Sequence, residues 1–394
     1  MKIPKPIMNI LAYNFPPVGL SGSLRNLFYA QYFSKKWEVK VFIPTRISKL
    51  YRIDQSLVKK IPKSVKITKI KTTAKSDIFN TIYALFYTFS YPWPDLSWLK
   101  KISQNKKIID CDVLIVSTPP YSSLAGIAKL IIKHKPKQLI IDFRDPWTSL
   151  HIRKKSILLK ILSFWWRKIE KKIIKKADLI LVTSEIHKGW LIKDFPRIDK
   201  NKIQVIYNGI INTARKKIKK KLSKKVIYAG SFSTSQNLEI ILYLVKKLPE
   251  YYFYFVGEHP KHFKNKIKQF QNIKLVKYLT REKLMKLQSE MDFGIASLPN
   301  EFDYAIPAKI FEYLEANIPI IGILPPAGAA YSLIKKEKIG LVSAPENINS
   351  LIDDLTNLNQ DQYNKLLKNA MGVKEKYSRE EQAKKLEKLI AKNL

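Results

Sequence analysis

Short, nearly continuous apolar runs bounded by turn residues alternate along this chain with segments whose apolar positions recur every third or fourth residue. That is the mark of strands buried on both faces alternating with amphipathic helices. A first set of runs comprises IMNILAY (7–13), EVKVFIP (38–44), VKITKI (65–70), VLIVS (113–117), IIDFRDPW (140–147), ADLILVTS (177–184) and IQVIYNGI (203–210). A second comprises VIYAGSFS (226–233), YFYFVGE (252–258), IKLVKYL (273–279), FGIASLP (293–299), IPIIGIL (318–324) and GLVSA (340–344). Strands separated by helical crossovers pair in parallel, so the pattern predicts an α/β protein of two Rossmann-like domains with parallel sheets facing a cleft. Their expected limits are 1–212 and 213–375, followed by a charged helical end, 376–394.

Ligands of parallel sheets collect at the C-terminal strand ends, so the loops there hold the candidate chemistry. After the run 293–299 comes PAKIFEYLEANIP, 307–319. Pro307 suits the first position of a helix, Asn317 a left-handed cap and Pro319 a stop, predicting about three turns. Ile310, Phe311 and Leu314 would face the core, whereas Lys309, Glu312 and Tyr313 would share another face. Lys309 in the first turn would sit beside an anion held by the helix start, together with the Ala308 amide. Glu312, one turn deeper, could accept two hydrogen bonds from a vicinal diol such as a ribose. The bland reading is a surface ion pair at i,i+3. The loop from Gly230 and Ser231 to Asn237 could offer further amides to phosphate, and Gly257-Glu258 ends another strand. In the first half, the loop before Leu24 contains Gly22, which permits close approach, and Ser21 or Ser23, either of which could cap the following helix. The STPP end (Pro119, Pro120) and Arg144-Asp145 aim polar groups at the same edge; Arg144 and Asp145 are either ligand residues or a pair that pins the turn before Pro146.

Composition narrows the class. One cysteine, Cys111, excludes an internal disulfide framework and points to a reducing cytoplasm, and five scattered histidines make no zinc motif. No apolar run is long enough for a membrane span or a secretion signal. The charge of +40 invites a polyanion, but only ten of the 72 basic residues are Arg; nucleic-acid readers lean on Arg forks, so no nucleic acid is expected. Asp110-Cys111-Asp112 has the spelling of a metal-binding DxD, yet it precedes its strand, so no metal is assigned to it. The charge clusters in 152–176, where Ile157, Leu158, Ile161, Leu162, Trp165 and Ile169 form a stripe flanked by Lys154, Lys155, Lys160, Arg167, Lys168, Lys171 and Lys172. This is either a core-packed amphipathic helix or one lying on an anionic membrane surface. The basic run 215–225 reads as a solvated linker or a phosphate-tracking tail, and the aromatic insert 78–98 as core or as an acceptor or membrane surface.

PAKIFEYLEANIPIIG resembles the signature of glycosyltransferase family 4, the retaining GT-B enzymes, which reads approximately P-x-K-x-x-E-Y-x-x-x-x-x-P. IIDFRDPWT, STPP, ADLILVTS and VIYNGI resemble other segments of that group. The resemblance implies a GT-B fold whose last helix returns to the first domain, and a nucleoside diphosphate sugar as donor with no other cofactor. It places the donor against Gly230, Ser231, Gly257, Glu258, Tyr304, Ala308, Lys309 and Glu312, with Lys309 on the diphosphate and Glu312 on the ribose. It places an acceptor, a glycan or lipid-linked intermediate of cell-surface polysaccharide synthesis, against Gly22, Ser23, Pro119, Pro120 and Arg144. Lys309, Glu312, Arg144 and Asp145 are the expected catalytic set, acting without metal, with the protein cytoplasmic or peripheral on the inner face of the membrane. Many members carry a glutamate eight residues before Glu312, where this chain has Tyr304. The alternatives are a GT-B-shaped polyanion-binding protein without catalysis and a sugar-nucleotide epimerase.

Overall fold

A computed structural model describes residues 4–46, 53–72, 96–131, 134–153, 157–213, 221–230, 232 and 237–392. Ser231, most of the basic run 215–225 and nearly all of the aromatic insert 78–98 lie outside them, as do the side chains of 151–153, 157–162 and Trp165. The chain divides into one unit of residues 1–207 with 383–394 and a second of residues 208–382. The divisions fall at 207 and 382, against the expected 212 and 375.

The first unit runs β1 (Ile7–Ala12), α1 (Ser21–Phe33), β2 (Glu38–Pro44), β3 (Lys66–Ile70), α2 (Leu96–Gln104), β4 (Val113–Thr118), α3 (Ser122–Ile131), β5 (Gln138–Phe143), α4 (Thr148–Arg153), α5 (Ile157–Lys176), β6 (Leu179–Val182), α6 (Glu185–Asp194) and β7 (Ile203–Val205). Its parallel sheet has the order β3-β2-β1-β4-β5-β6-β7, with Leu11 level with Phe42 on one side and Val116 on the other. Alternate strand residues feed two apolar layers. Leu11, Val116, Ile141 and Val182 pack under α2, α3 and α5. Met8, Val39, Ile115 and Leu181 pack with Leu27 and Phe33 of α1 and with Leu386 and Ile390. Those last two belong to the final helix, and burying each contributes ~2 kcal/mol.

The second unit runs β8 (Lys225–Ala229), α7 (Leu238–Lys247), β9 (Tyr252–Val256), α8 (Lys261–Ile267), β10 (Ile273–Val276), α9 (Arg281–Ser289), β11 (Phe293–Ser297), α10 (Ala308–Glu315), β12 (Ile320–Ile323), α11 (Ala329–Glu337), β13 (Gly340–Ser343), α12 (Ile348–Thr356), α13 (Gln360–Gly372) and the start of α14 (Arg379–Lys392). Its parallel sheet has the order β10-β9-β8-β11-β12-β13. The order reverses between β8 and β11, and the crevice at such a reversal is where open α/β sheets take ligands. In the first sheet the reversal lies between β1 and β4.

Candidate functional site

Helix α10 stands at the reversal point of the second sheet. It has eight residues, about two turns rather than three, and Pro307 is its N-cap rather than its first residue. Its end is as the sequence suggests: Asn317 is left-handed at φ 60°, and the Ile318 and Asn317 N–H groups donate to the carbonyls of Tyr313 and Leu314. The buried Lys374 closes that end, its Nζ donating to Asn317 Oδ1 at 2.9 Å and to the Glu315 carbonyl at 3.1 Å. A cation there suits the negative end of the helix dipole.

At the other end, Lys309 extends to the C-terminal end of β8. Its Nζ lies over the Tyr228 ring, 4.1 Å from the centroid. A Cβ on Gly230 would come within 3.3 Å of that nitrogen, and Gly230 has φ +144°. Burial of the ammonium pushes its pKa down to about 8, against an opposing pull from Glu312. Gly257, at the end of β9, also needs to be glycine: its φ is +149°, and a Cβ would stand 2.5 Å from the Gly230 carbonyl. Glu258 beside it is exposed. No side chain caps the start of α10, where the half-buried Ala308 is the first helical residue.

Glu312 is partly exposed and lies 3.5 Å from Arg281, whose other nitrogen reaches Glu315 at 2.9 Å. Arg281 carries no signal in the sequence, because its partners are far along the chain. Two expectations are corrected here. Tyr313 does not share the face of Lys309 and Glu312; it is fully buried, its hydroxyl donating to the Ile295 carbonyl at 3.1 Å. Gly294 makes room for it, since a Cβ there would lie 2.3 Å from the ring. Tyr304 is also buried, beside Phe302, and so does not present a side chain as an exposed carboxylate would.

In the first unit the structure brings Gly22, Pro119 and Arg144 together at the C-terminal ends of β1, β4 and β5. Arg144 Nε donates to the Thr118 carbonyl at 2.8 Å and its Nη2 to the Pro119 carbonyl at 2.7 Å. The third nitrogen lies where a Gly22 side chain would stand. Arg144 therefore braces two loops instead of pairing with Asp145, and it remains half-buried at the strand ends. Asp145 is half-buried too, and its carbonyl accepts from the Tyr121 hydroxyl at 2.8 Å. Pro120 and Ser23 are buried. Neither Ser21 nor Ser23 caps α1, whose N-cap is Leu20.

Sequence reasoning missed a fully buried ion pair of this unit. Arg25 and Asp142, both buried, join α1 to β5 through two bonds of 2.8 and 2.9 Å, while Arg25 Nη1 donates to the carbonyls of Ile206 and Tyr207. The pair holds the guanidinium pKa above its ordinary value against desolvation by burial. An aspartate inside an otherwise apolar strand was the available signal. The DxD motif is consumed structurally: Asp112 Oδ2 accepts from the Ile7 N–H at 2.8 Å, and Oδ1 lies 2.5 Å from Lys137. Among the described residues no group of three or more His, Cys, Asp or Glu side chains could hold a metal ion.

Helix α5 is core-packed over its second half. Trp166 packs against Trp147 at 5.8 Å, and Ile173 and Ile174 are buried. Phe164 is 60% exposed, with Lys168 over its ring at 4.8 Å. Among the described residues no helix is long and apolar enough to cross a membrane.

Residues 30–213 match the family model described as Glycosyltransferase Family 4, and residues 226–387 the one described as Glucosyltransferase 3-like, C-terminal domain. The chain is a family 4-like glycosyltransferase of GT-B fold. This glycosyltransferase is 27% identical over 173 residues to an uncharacterized glycosyltransferase of Methanocaldococcus jannaschii, a stretch covering 41% of this chain and 43% of that relative. HepE of Anabaena, solved in complex with UDP and glucose, superposes with a TM-score of 0.69 at 13% identity over 98% of this chain and 99% of that one. WaaG, a glycosyltransferase involved in lipopolysaccharide biosynthesis, gives 0.67 at 14% identity over 98% and 99%. At these identities the two structures share the fold of the family 4-like chain, and its site residues stand on their own geometry.

Proposed function

We propose that this glycosyltransferase transfers a hexose from a nucleoside diphosphate sugar without a metal ion. The observation that carries the reading is Lys309, a desolvated ammonium set at a helix start against Gly230, where the second sheet reverses its order. A diphosphate there would meet the ammonium, the first amides of α10 and the open backbone of Gly230. Glu312, one turn on and held by Arg281, would take the ribose hydroxyls. As the glycosidic bond breaks, negative charge grows on the departing diphosphate; Lys309 and the helix dipole stabilise it in place of a metal. In the first unit the half-buried Arg144, beside the buried Gly22 and Pro119, would meet the acceptor. That acceptor is a glycan or a lipid-linked intermediate of cell-surface polysaccharide synthesis, and the protein works in the cytoplasm with α5 against the membrane. Support for the last point is the exposed Phe164 beside Lys168.

Calorimetric titration of the full chain with a panel of nucleoside diphosphate sugars tests the donor half. One donor should bind and be slowly hydrolysed or transferred. A chain that binds no member of the panel contradicts the reading, and one that binds a donor without ever consuming it favours a non-catalytic protein, for which the buried Tyr304 in place of a glutamate already speaks.

A further inference from the structure

The first unit holds a concavity at the opposite edge of its sheet from the strand ends described above. Its walls are the last turns of α5, which lead into β6, and residues 194–202, which lead into β7, so it opens at the N-terminal ends of those strands. The volume is 690 Å³, within the range of about 300–1,000 Å³ typical of ligand pockets. Five cationic side chains line it: Arg167, Lys171, Lys175, Arg197 and Lys202. Against them stand two carboxylates, Asp194 and Asp199, and Asp199 is engaged in accepting from the Asn201 N–H at 2.9 Å.

This is more than a solvated basic face, because part of it is fixed. Arg167 donates to the Asp194 carbonyl and lies over the Phe195 ring at 4.8 Å. Lys202 Nζ donates to the Ala177 carbonyl at 3.1 Å, and Ile174 and Phe195 form a buried apolar floor. On that frame Lys171, Lys175 and Arg197 are exposed and make no hydrogen bond or ion pair with another described residue. Lys175 is in the last turn of α5, where a cation suits the dipole, but Lys171 lies a full turn earlier and Arg197 is in a loop, so the dipole does not account for them. Mutually repelling charges gathered round a concave apolar floor are the complement of an anion with several oxygens.

We propose that this pocket binds a phosphate-bearing anion, supplied by a soluble pyrophosphate-like molecule or by the headgroup of an acidic lipid. The site is separate from the donor site and does not depend on that reading. The test uses the full chain carrying Lys309→Ala, so that the donor site contributes little, compared with the same chain carrying Lys171→Ala and Arg197→Ala in addition. Inorganic pyrophosphate is titrated by calorimetry, and vesicles of phosphatidylglycerol or of phosphatidylcholine are co-sedimented at low and high salt. Each lost charge-assisted contact should weaken binding about tenfold, so the added pair should weaken it roughly a hundredfold. Pyrophosphate binding that falls in this way assigns a soluble ligand. Binding only to the anionic vesicles, lost in the same variant, assigns a headgroup. If neither probe binds, or if the two added substitutions leave the affinity of the probe that does bind unchanged, the proposal is overturned.

Discussion

Lys309→Met should make the protein more stable and a poorer binder of UDP. Burial lowers the Lys309 pKa from 10.5 to about 8, with Glu312 pulling the other way. Since the folded value lies below the unfolded one, the unfolded chain holds the proton more tightly. The destabilisation is therefore complete below about pH 8 and disappears as pH rises through 10.5. The full fall would correspond to ~3 kcal/mol. Solvent screening at a half-buried site and the attraction of the Tyr228 face offset part of this, leaving ~1–2 kcal/mol. Methionine keeps the length of the stem and removes the charge, so Tm should rise by roughly 2–6 °C near neutral pH, and the gain should shrink toward the unfolded value. The same change removes a charge-assisted contact worth ~1.5–3 kcal/mol, or roughly ten- to hundredfold in the Kd for UDP. In the unaltered protein UDP affinity should be level between about pH 7 and 8, where the terminal phosphate is fully ionised, and then fall by up to tenfold per pH unit as Lys309 loses its proton. Calorimetric scans and UDP titrations of both proteins across this range check each step. Equal UDP affinity in the two, or a lower Tm in the methionine variant, would refute the reasoning.

Glu312→Gln exchanges a charged diol acceptor for a neutral one on a partly exposed face, so donor affinity should drop about tenfold with little change in Tm; unchanged affinity in titrations removes Glu312 from the site. Glu170, buried on α5 and accepting from the N–H and hydroxyl of Thr148, has its pKa raised by burial to about 7. Its folded value lies above the unfolded one, so stability should decline as pH climbs from about 4.5 to 7, and Glu170→Gln should flatten that slope in denaturant titrations; an unaltered slope contradicts the assignment. Activity should survive EDTA, and a loss restored by Mg²⁺ or Mn²⁺ would require a metal that the proposed chemistry omits. Binding to anionic vesicles should be salt-sensitive and should weaken with Phe164→Ala and Lys168→Glu together, as read by co-sedimentation; Trp166 is unsuitable for this test because it packs against Trp147.

What the sequence made legible was whatever depends on neighbours within a turn or a strand. The strand at Glu38–Pro44 has the limits its apolar run suggests, and Asn317 takes the left-handed cap that its place before Pro319 implies. That Lys309 and Glu312 stand one turn apart on α10 was equally visible, because spacing along a helix is local. Tyr313 shows where that logic stops: by spacing it belongs with Lys309 and Glu312, but it is drawn inward by a vacancy that another element supplies, the bare Cα of Gly294 in β11. Arg144 was placed at the correct edge of the sheet, but of its two readings the pair with Asp145 does not form, since the carbonyls of Thr118 and Pro119 that clamp it belong to a different strand end. Arg281 beside Glu312 and Arg25 on Asp142 were invisible for the same reason, their partners being set by topology rather than by spacing. For Tyr313 and Arg25 one residue was out of character with its surroundings: a glycine in the buried strand FGIAS, an aspartate in IIDF. A small or charged residue inside an apolar strand is costly unless something distant needs it. Such positions mark where a chain expects a partner from elsewhere in the fold, and here they point to the contacts that hold α10 and α1 against the strands whose ends carry the proposed chemistry.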